Sequence, residues 1–297
     1  MELMKAVLTG ERFSDPAWVF ERKLDGIRCV ATKDADGVRL RSRNDLDLGS
    51  RFAAVADALA ADPVADVVLD GEVVAFDGSQ TSFAALQQRG DKPVFFYVFD
   101  ILRAGGEDVT GLPLRERKAL LHRTLTFEDP IRFTTHRNEH GELFFREACE
   151  KCWEGLIAKR ADAPYTHGRS RDWLKFKCSA EQELVIGGFT APKGSRTDFG
   201  ALLLGYYEDG RLRYAGKVGT GFTQAALSDL AGKLRPLQRE TSPFADDVRE
   251  RTAAWATPRL VAQIGFTEWT RDGRLRHPRF LGLRDDKAAG DVVREQR

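Results

Sequence analysis

Long apolar runs are missing from this chain of 297 residues, of which 42% are hydrophobic. A membrane-spanning helix needs about 20 consecutive apolar residues. The N-terminus also lacks the basic and then apolar pattern of a secretory signal. We therefore expect a soluble, intracellular protein without membrane contact, long enough for two domains that each bury a core.

Cysteine is scarce, with four residues at positions 29, 149, 152 and 178. So few scattered cysteines do not indicate a disulfide framework, which fits a reducing cytosol. Cys149 and Cys152 have the C-x-x-C spacing of a metal or redox site, but structural zinc needs four ligands and no second pair is present. A zinc site and two buried or half-buried thiols both stay open, and the thiols are favoured.

A strong net charge is missing too, because 46 basic and 45 acidic residues leave only +1. Bulk electrostatics therefore do not indicate nucleic-acid binding. Basic residues nevertheless outnumber acidic ones from Lys159 to Lys177 and from Arg271 to Lys287. Such clusters are either solvated surface or phosphate contacts.

The hydrophobic pattern predicts an α+β domain with a largely antiparallel sheet, followed by a β-barrel such as an OB-fold. Residues 1–180 form the first domain and residues 181–297 the second, with the boundary near Ser179 to Glu183. Asp209-Gly210 is a strong hairpin signal in the second domain. The predicted strands are 38–42, 67–76, 94–99, 201–207, 212–218 and 260–270, and the predicted helices are 51–59, 114–125, 142–153 and 224–234.

The segment from Glu21 to Arg28 contains a K-x-D-G motif, Lys23-Leu24-Asp25-Gly26. Alone it is weak and equally describes a solvated turn. A lysine nucleophile must lose its proton, so it needs cationic neighbours, a metal or desolvation to lower its pKa. Arg28 could supply cationic charge and hold a phosphate.

Further short elements follow Lys23 in a fixed order. They are Arg41-Ser42-Arg43-Asn44, Asp70-Gly71-Glu72 ahead of an apolar strand, 96–100, 154–160, 173–177 and 284–287. The ordered set resembles the six-motif signature of the covalent nucleotidyltransferases, which include DNA ligases, RNA ligases and mRNA capping enzymes. The resemblance implies that Lys23, beside Asp25, takes up a nucleotide covalently.

Two lysines of the fifth element, Lys175 and Lys177, alternate along a strand and so leave one face together. They suit a triphosphate, whose charge needs compensation, although an exposed strand face would look the same. The resemblance implies that both contact the α-phosphate and that Arg43 joins Arg28 around the nucleotide. It also implies that Arg284 and Lys287 orient the departing pyrophosphate.

Glu154 and Glu72 are the candidate metal ligands, because Mg²⁺ in phosphoryl chemistry is held by one or two carboxylates and phosphate oxygens. Either could also be an ordinary surface glutamate. The resemblance implies that Glu154 binds the metal, Mg²⁺ or Mn²⁺, and that Glu72 lies near the ribose and the metal.

The resemblance also assigns the base. Phe99 would stack on it, with Ile157 on its other side, and Glu21 would help to read the adenine amino group. Taken alone, Phe99 in an apolar strand is more typical of a core residue.

Segments in and around the second half resemble the ligase domain of bacterial ligase D, which acts in non-homologous end joining. They are 167–175, 189–196, 217–222, 256–258 and 276–284. The resemblance implies ATP as cofactor, carried as covalent AMP, and nicked or broken double-stranded DNA as substrate. A Ku-like partner, associated polymerase or nuclease modules, and a monomeric state also fit.

Other functions remain open. An RNA ligase or a GTP-using capping enzyme belongs to the same superfamily, and a non-catalytic OB-fold module would bind nucleic acid without forming any adduct. The chain could be a free-standing ligase or an excised domain.

Overall fold

The computed structural model describes residues 2–87, 92–178, 180–192, 198–270 and 272–295. The chain splits into two compact units, Met1–Cys178 (unit 1) and Ser179–Gln296 (unit 2). Several positions of the sequence analysis lie outside the described residues: Ser179 at the boundary, Lys193 to Arg196 in the ligase D-like segment, and Arg271.

The described residues of unit 1 form two sheets and four helices. The elements are β1 (Met4–Leu8), β2 (Trp18–Lys23), β3 (Ile27–Asp34), β4 (Gly37–Ser42), α1 (Ala53–Ala61), β5 (Val67–Asp77), β6 (Gln80–Thr81), α2 (Phe83–Gln87), β7 (Val94–Ala104), β8 (Glu107–Asp108), α3 (Leu114–Thr124), β9 (Ile131–Phe133), β10 (His136–Asn138), α4 (Gly141–Glu150), β11 (Gly155–Arg160) and β12 (Gly168–Lys177).

Sheet 1 has the order β1-β12-β11-β2-β10, and sheet 2 has the order β4-β3-β5-β7-β8, with β6 on β5 and β9 on β7. Among the described pairs of unit 1, β1–β12 and β7–β9 are parallel and the others antiparallel. The predicted antiparallel character is therefore confirmed.

Each sheet of unit 1 buries one face beneath helices. In sheet 2, alternate residues of β3 such as Cys29 and Ala31 join Val55 and Leu59 of α1 in one core cluster. In sheet 1, residues such as Phe20 pack with α4 in another cluster. Because side chains alternate along a strand, the polar residues of β2, β3, β5, β11 and β12 leave the opposite faces.

The described residues of unit 2 form a curled, mostly antiparallel sheet, a separate two-stranded sheet and one α-helix. Its elements are β13 (Ala180–Thr190), β14 (Leu202–Glu208), β15 (Arg211–Val218), α5 (Gln224–Leu234), β16 (Gln238–Arg239), β17 (Ala253–Ala256), β18 (Val261–Phe266), β19 (Glu268–Trp269), β20 (Leu275–Arg276) and β21 (Arg279–Leu283), with 3₁₀ turns at Arg235–Leu237 and Ala289–Asp291.

The long strand β13 organises unit 2. One of its edges pairs with β14, while the other pairs first with β18 and then with β17. The predicted hairpin turn joins β14 to β15, and Asp209 and Gly210 both have positive φ angles, as the tight turn requires. α5 buries Leu227, Leu230 and Leu234 in the same core.

The four predicted helices are present; α5 has the predicted ends and the other three have ends displaced by up to three residues, whereas α2 was not predicted. Asp70-Gly71-Glu72 lies inside β5 and does not precede the strand. In the described residues, no helix has the length and apolar character that a membrane crossing requires.

Candidate active site

The register of β2, β11 and β12 gathers candidate residues on one face of sheet 1. Cross-strand partners project from the same face of a sheet. Gly155 pairs with both Lys23 and Lys177, and Ile157 pairs with both Glu21 and Lys175. Five of the predicted site residues therefore share this face.

Two glycines of the motifs allow close backbone approach. A Cβ on Gly26 of the K-x-D-G motif would lie 2.2 Å from the Val73 carbonyl oxygen. Gly155, which follows Glu154, has φ +150°, and a Cβ there would lie 1.8 Å from the Phe176 carbonyl oxygen. No side chain fits at either position. Glycine at 26 and 155 therefore allows the backbone near Lys23 and Glu154 to pack closely against neighbouring strands.

Lys23 is paired with Glu154. Lys23 Nζ lies 2.5 Å from Glu154 Oε2, and the two side chains are 20% and 8% exposed. Burial lowers the pKa of Lys23, but the Glu154 charge and hydrogen bond outweigh it, and Glu72 and Asp25 add to them, so the pKa is raised. The sequence analysis required neighbours that lower the Lys23 pKa; in this state they hold it as an ammonium group.

The other two carboxylates lie near Lys23 in different ways. Glu72 is half-buried on β5, where it pairs with Arg28 of β3 and with Tyr97 of β7. Asp25 Oδ2 accepts a hydrogen bond from the Phe83 amide at 3.0 Å, at the start of α2. Asp25 thus fixes the loop after Lys23 in addition to contributing charge.

Arg28 has a buried partner that the sequence analysis did not identify. Its Nε and Nη2 bind the two Asp70 oxygens at 2.5 and 2.6 Å, and Nη2 also donates to the Met4 carbonyl at 3.2 Å. The Tyr165 hydroxyl donates to Asp70 at 2.7 Å. Burial lowers the Arg28 pKa, but Asp70 more than reverses this and raises it. The predicted phosphate contact would thus involve a guanidinium already bound to a carboxylate.

Phe99 lies in a buried cluster with Trp173, Tyr165 and Met4. The guanidinium carbon of Arg28 is 4.7 Å from the Phe99 ring centroid, and Lys159 Nζ is 4.1 Å from it. Both distances are typical of cation–π contacts. In this state the ring that was expected to stack on a base is covered by cations.

Glu21 bridges two buried lysines. Its Oε1 accepts from Lys118 Nζ at 2.6 Å, its Oε2 lies 2.6 Å from Lys159 Nζ, and all three side chains are 2% exposed. Burial raises the pKa of Glu21, but the attraction of the two lysines outweighs burial, so the pKa is lowered overall. Burial lowers the pKa of Lys159 to about 8, against the attraction of Glu21.

Lys118 is a site residue that the sequence analysis missed. It lies on α3, donates to the Thr134 carbonyl at 3.0 Å and sits 4.7 Å from the Phe133 ring centroid. A lysine in a helix among charged residues normally predicts solvent exposure, so the sequence carries no signal for it.

Arg43 is half-buried just after β4, which pairs with the Arg28 strand β3. Lys175 and Lys177 are half-buried on β12. Arg284 and Lys287 belong to unit 2, where Arg284 forms a bidentate pair with Asp286 at 2.8 and 2.9 Å. Lys287 Nζ lies 2.8 Å from Glu183.

A divalent cation would have to use few protein ligands. Among the residues that the structure describes, no group of three or more His, Cys, Asp or Glu side chains is arranged for a metal. Glu154 and Glu72, however, both act on Lys23. Mg²⁺ is commonly held by one or two carboxylates, substrate phosphates and water, so this pair fits such an ion once a triphosphate is bound.

The prediction of two unbonded thiols at Cys149 and Cys152 is wrong. Cys149 forms a disulfide with Cys178, which lies 29 residues further along the chain. Cys152 is exposed and Cys29 is buried, both as thiols. The partner lies across the β11–β12 hairpin, so residue spacing could not reveal it.

Two family models match the chain. The ATP dependent DNA ligase domain matches residues 3–177, and the ATP dependent DNA ligase C terminal region matches residues 195–287. The two matches follow the two units of the fold.

Curated relatives show the same likeness. The multifunctional non-homologous end joining protein LigD of Pseudomonas aeruginosa is 40% identical over 293 residues, covering 94% of this chain and 35% of that protein. The LigD DNA repair protein of Mycobacterium tuberculosis is 40% identical over 289 residues, with 94% and 37% covered. The chain thus spans about a third of the length of these relatives.

Solved structures agree. A mycobacterial DNA ligase D complexed with ATP and MES aligns with a TM-score of 0.71 at 35% identity, covering 99% of this chain and 98% of that one. The ligase domain of M. tuberculosis LigD aligns with a TM-score of 0.52 at 36% identity and the same coverage.

These likenesses confirm the predicted fold class, an α+β nucleotidyltransferase domain followed by an OB-fold, and the resemblance to the ligase D type. The first family model alone covers more than half of the 297 residues. The chain therefore belongs to the family of ATP-dependent DNA ligases.

Proposed function

We propose that this chain joins 5′-phosphate and 3′-hydroxyl ends of DNA with ATP, through AMP bound covalently to Lys23. The observation that carries the proposal is the close, largely buried Lys23–Glu154 pair, on the sheet face that also presents Lys175 and Lys177. A solvated turn, the alternative for K-x-D-G, would not hold its lysine in this way.

In the first step Lys23 Nζ attacks the α-phosphorus of ATP, so that a P–N bond forms and pyrophosphate leaves. Nζ must first lose a proton, and Glu154 Oε2 is within hydrogen-bond distance to receive it. Once Glu154 is protonated or otherwise engaged, the effect of burial on the Lys23 pKa is less opposed, so the pKa falls and the neutral amine is favoured.

In the second step an oxygen of the DNA 5′-phosphate attacks the same phosphorus and breaks the P–N bond. The 3′-hydroxyl then attacks the activated 5′-phosphate and releases AMP. The detour supplies a leaving group that a phosphate monoester lacks.

Charge compensation falls to the remaining residues. Lys175 and Lys177 would bind the α-phosphate, and Arg43 and Arg28 the rest of the nucleotide. Mg²⁺ or Mn²⁺ held by Glu154 and Glu72 would neutralise phosphate charge as it develops. Arg284 and Lys287 would orient the pyrophosphate.

The base would lie between Phe99 and Ile157, with Glu21 at the adenine amino group. For this, the cations over the Phe99 ring must shift. A carboxylate has about four acceptor sites, so Glu21 can accept a further hydrogen bond while it holds Lys118 and Lys159.

We infer that the cellular context is break repair by end joining, on nicked or broken double-stranded DNA. The names of the LigD relatives support this context. A Ku-like end-binding protein and polymerase or nuclease modules are the partners to test, and we expect a monomer.

The test is incubation with α-labelled ATP or GTP, followed by denaturing electrophoresis. We expect label from ATP alone, none in Lys23→Ala, and normal sealing by Lys23→Ala of a DNA nick that already carries 5′-AMP. Label from GTP would support a capping enzyme, and sealing of RNA only would support an RNA ligase. DNA binding without any adduct would support a non-catalytic module.

A further inference from the structure

Three of the four cysteines lie together at one end of sheet 1. Cys149 is in the last turn of α4 and Cys178 directly follows β12, and their Cα atoms are 5.2 Å apart in the disulfide. Cys152, three residues after Cys149, is exposed and not bonded. The proposed ligation chemistry uses none of the three.

Cys152 is also within reach of Cys149. The Cys152 amide donates to the Cys149 carbonyl at 2.9 Å, which closes a four-residue turn. In such a turn the first and fourth Cα atoms are less than about 7 Å apart. Disulfides span Cα distances of about 4.4–6.8 Å, so the turn brings the Cys152 Cα close enough to Cys149 for the backbone to permit a second pairing.

We propose that Cys149, Cys152 and Cys178 form a thiol–disulfide exchange site. The Cys152 thiolate attacks Cys149 Sγ, so that a Cys149–Cys152 bond forms and the Cys149–Cys178 bond breaks. Cys178 leaves as a thiolate and takes up the proton that Cys152 released. The exchange consumes no oxidant, because one disulfide replaces another.

Small thiols can act at the same site. One molecule of a low-molecular-weight thiol attacks the Cys149–Cys178 disulfide and forms a mixed disulfide with one of the two cysteines. A second molecule then attacks this mixed disulfide, which frees the cysteine and forms a disulfide of the two small molecules. Two protein thiols result, and two electrons pass from the small thiols to the protein. The exposed Cys152 thiolate can form a separate mixed disulfide by attacking an oxidised small thiol, which releases one reduced small thiol.

The site is joined to the ligation residues by backbone. The Cys149–Cys178 bond closes a loop that contains Glu154, Lys175 and Lys177. The Cys178 amide donates to the Glu154 carbonyl at 3.0 Å. With Cys149 bonded to Cys152, the chain at Cys178, the last residue of unit 1, is held by hydrogen bonds and by packing against the sheet 1 core, without a covalent cross-link.

Cys29 provides an internal control. It is completely buried in the sheet 2 core, and burial raises the pKa of its thiol. A thiol that is inaccessible and protonated does not take part in exchange. Any labelling of Cys29 therefore reports unfolding.

The experiment is disulfide mapping of the full chain, equilibrated in mixtures of reduced and oxidised glutathione, quenched in acid, alkylated and digested with trypsin. Cleavage after Lys151 separates Cys149 from Cys152, so each linkage gives its own peptide pair. We expect both 149–178 and 149–152 pairs, with the second absent in Cys152→Ser and Cys29 unlabelled throughout. Full alkylation of all three cysteines in oxidised glutathione would overturn the proposal.

A second measurement covers the case in which one linkage is too rare to detect. The rate of reduction of the Cys149–Cys178 bond by glutathione should fall in Cys152→Ser, and an unchanged rate would also overturn the proposal. Hydrogen exchange of peptides spanning 154–160 should be faster in Cys178→Ser than in Cys29→Ser.

An effect on adenylation rests on the proposed function, whereas the mapping does not. If the lysyl-AMP adduct never forms but both linkages are found, the ligase function fails and the exchange site stands.

Discussion

Lys23 and Lys159 lie on the same face of sheet 1, each within 2.6 Å of a glutamate oxygen, yet their pKa values shift in opposite directions. Three carboxylates, Glu154, Glu72 and Asp25, act on Lys23. Around Lys159, Glu21 is shared with Lys118, Asp100 adds attraction, and the Lys118 ammonium group repels that of Lys159. Burial disfavours both ammonium groups, so the balance between attracting carboxylates and repelling ammonium groups decides the sign.

The difference matters for chemistry. A nucleophilic amine with a raised pKa is stored as an ammonium ion and becomes reactive only when its acidic partners are engaged elsewhere. Lys159, whose pKa is lowered, is not a nucleophile in the proposed reaction. It holds a carboxylate and two aromatic rings, Phe99 and Trp173, in position.

Glu154→Gln removes the strongest acidic partner of Lys23 and should have the largest effect of the proposed substitutions, on both the rate of adenylation and its pH dependence. We expect adenylation to slow by about 10²–10⁴-fold, the range for loss of a proton acceptor. The pH at half-maximal rate should fall, because the effect of burial on the Lys23 pKa is then less opposed. Pre-steady-state adduct formation across pH measures both.

The matched control for that variant is Glu150→Gln, an exposed glutamate at the end of α4. It should leave rate and pH profile unchanged. A near-normal rate or an upward shift of the profile in Glu154→Gln would remove Glu154 from its assigned role.

In unit 2, Arg284 and Lys287 form ion pairs with Asp286 and Glu183. The double variant Arg284→Ala and Lys287→Ala should slow adenylation by about 10²–10³-fold, as expected for lost transition-state charge stabilisation. Sealing of pre-adenylated nicks should be largely kept. Gel assays of the two half-reactions on one folded preparation measure the split.

The exposed pair Arg276 and Arg279, changed to alanine together, is the control in the same unit. If adenylation and sealing both proceed normally in the double variant, Arg284 and Lys287 are only surface charges without a role in either step. Equal loss of both steps would indicate DNA binding or folding.

Of the three substitutions, Lys159→Met should have the smallest effect. The effect should appear in how the free energy of unfolding changes with pH. Folded Lys159 has a pKa of about 8 against an ordinary 10.5, so between these values the unfolded chain binds more protons. The wild-type free energy of unfolding therefore gains about 1–3 kcal/mol from this group as pH rises through that window. Denaturant unfolding should show a flatter profile in Lys159→Met, whereas the exposed Lys233→Met control keeps the wild-type rise.

Much of the scaffold was accessible from the sequence because it depends on local pattern. Alternation in β12 predicted that Lys175 and Lys177 share a face, and Asp209-Gly210 predicted the β14–β15 turn. Helix α5 begins and ends where its apolar spacing predicts. Order along the chain identified the family.

The electrostatic arrangement was not accessible in this way. Asp70, which pairs with Arg28, is 95 residues from Tyr165, which donates a hydrogen bond to it. Lys118 and Glu21 are 97 residues apart. Cys149 and Cys178 meet only because the β11–β12 hairpin returns the chain to α4. Such contacts depend on sheet order and packing, which no local pattern of residues encodes.

Strand β1 has a consequence for how the chain is made. The Met4 amide donates to the Tyr165 hydroxyl across 161 residues, and β1 pairs with β12 in parallel. During synthesis β1 therefore has no partner until almost all of unit 1 has left the ribosome, and contacts over such separations form slowly. An unpaired strand edge invites association with other nascent chains. Yield in cells should thus depend on chaperone supply more than the stability of the finished fold would suggest.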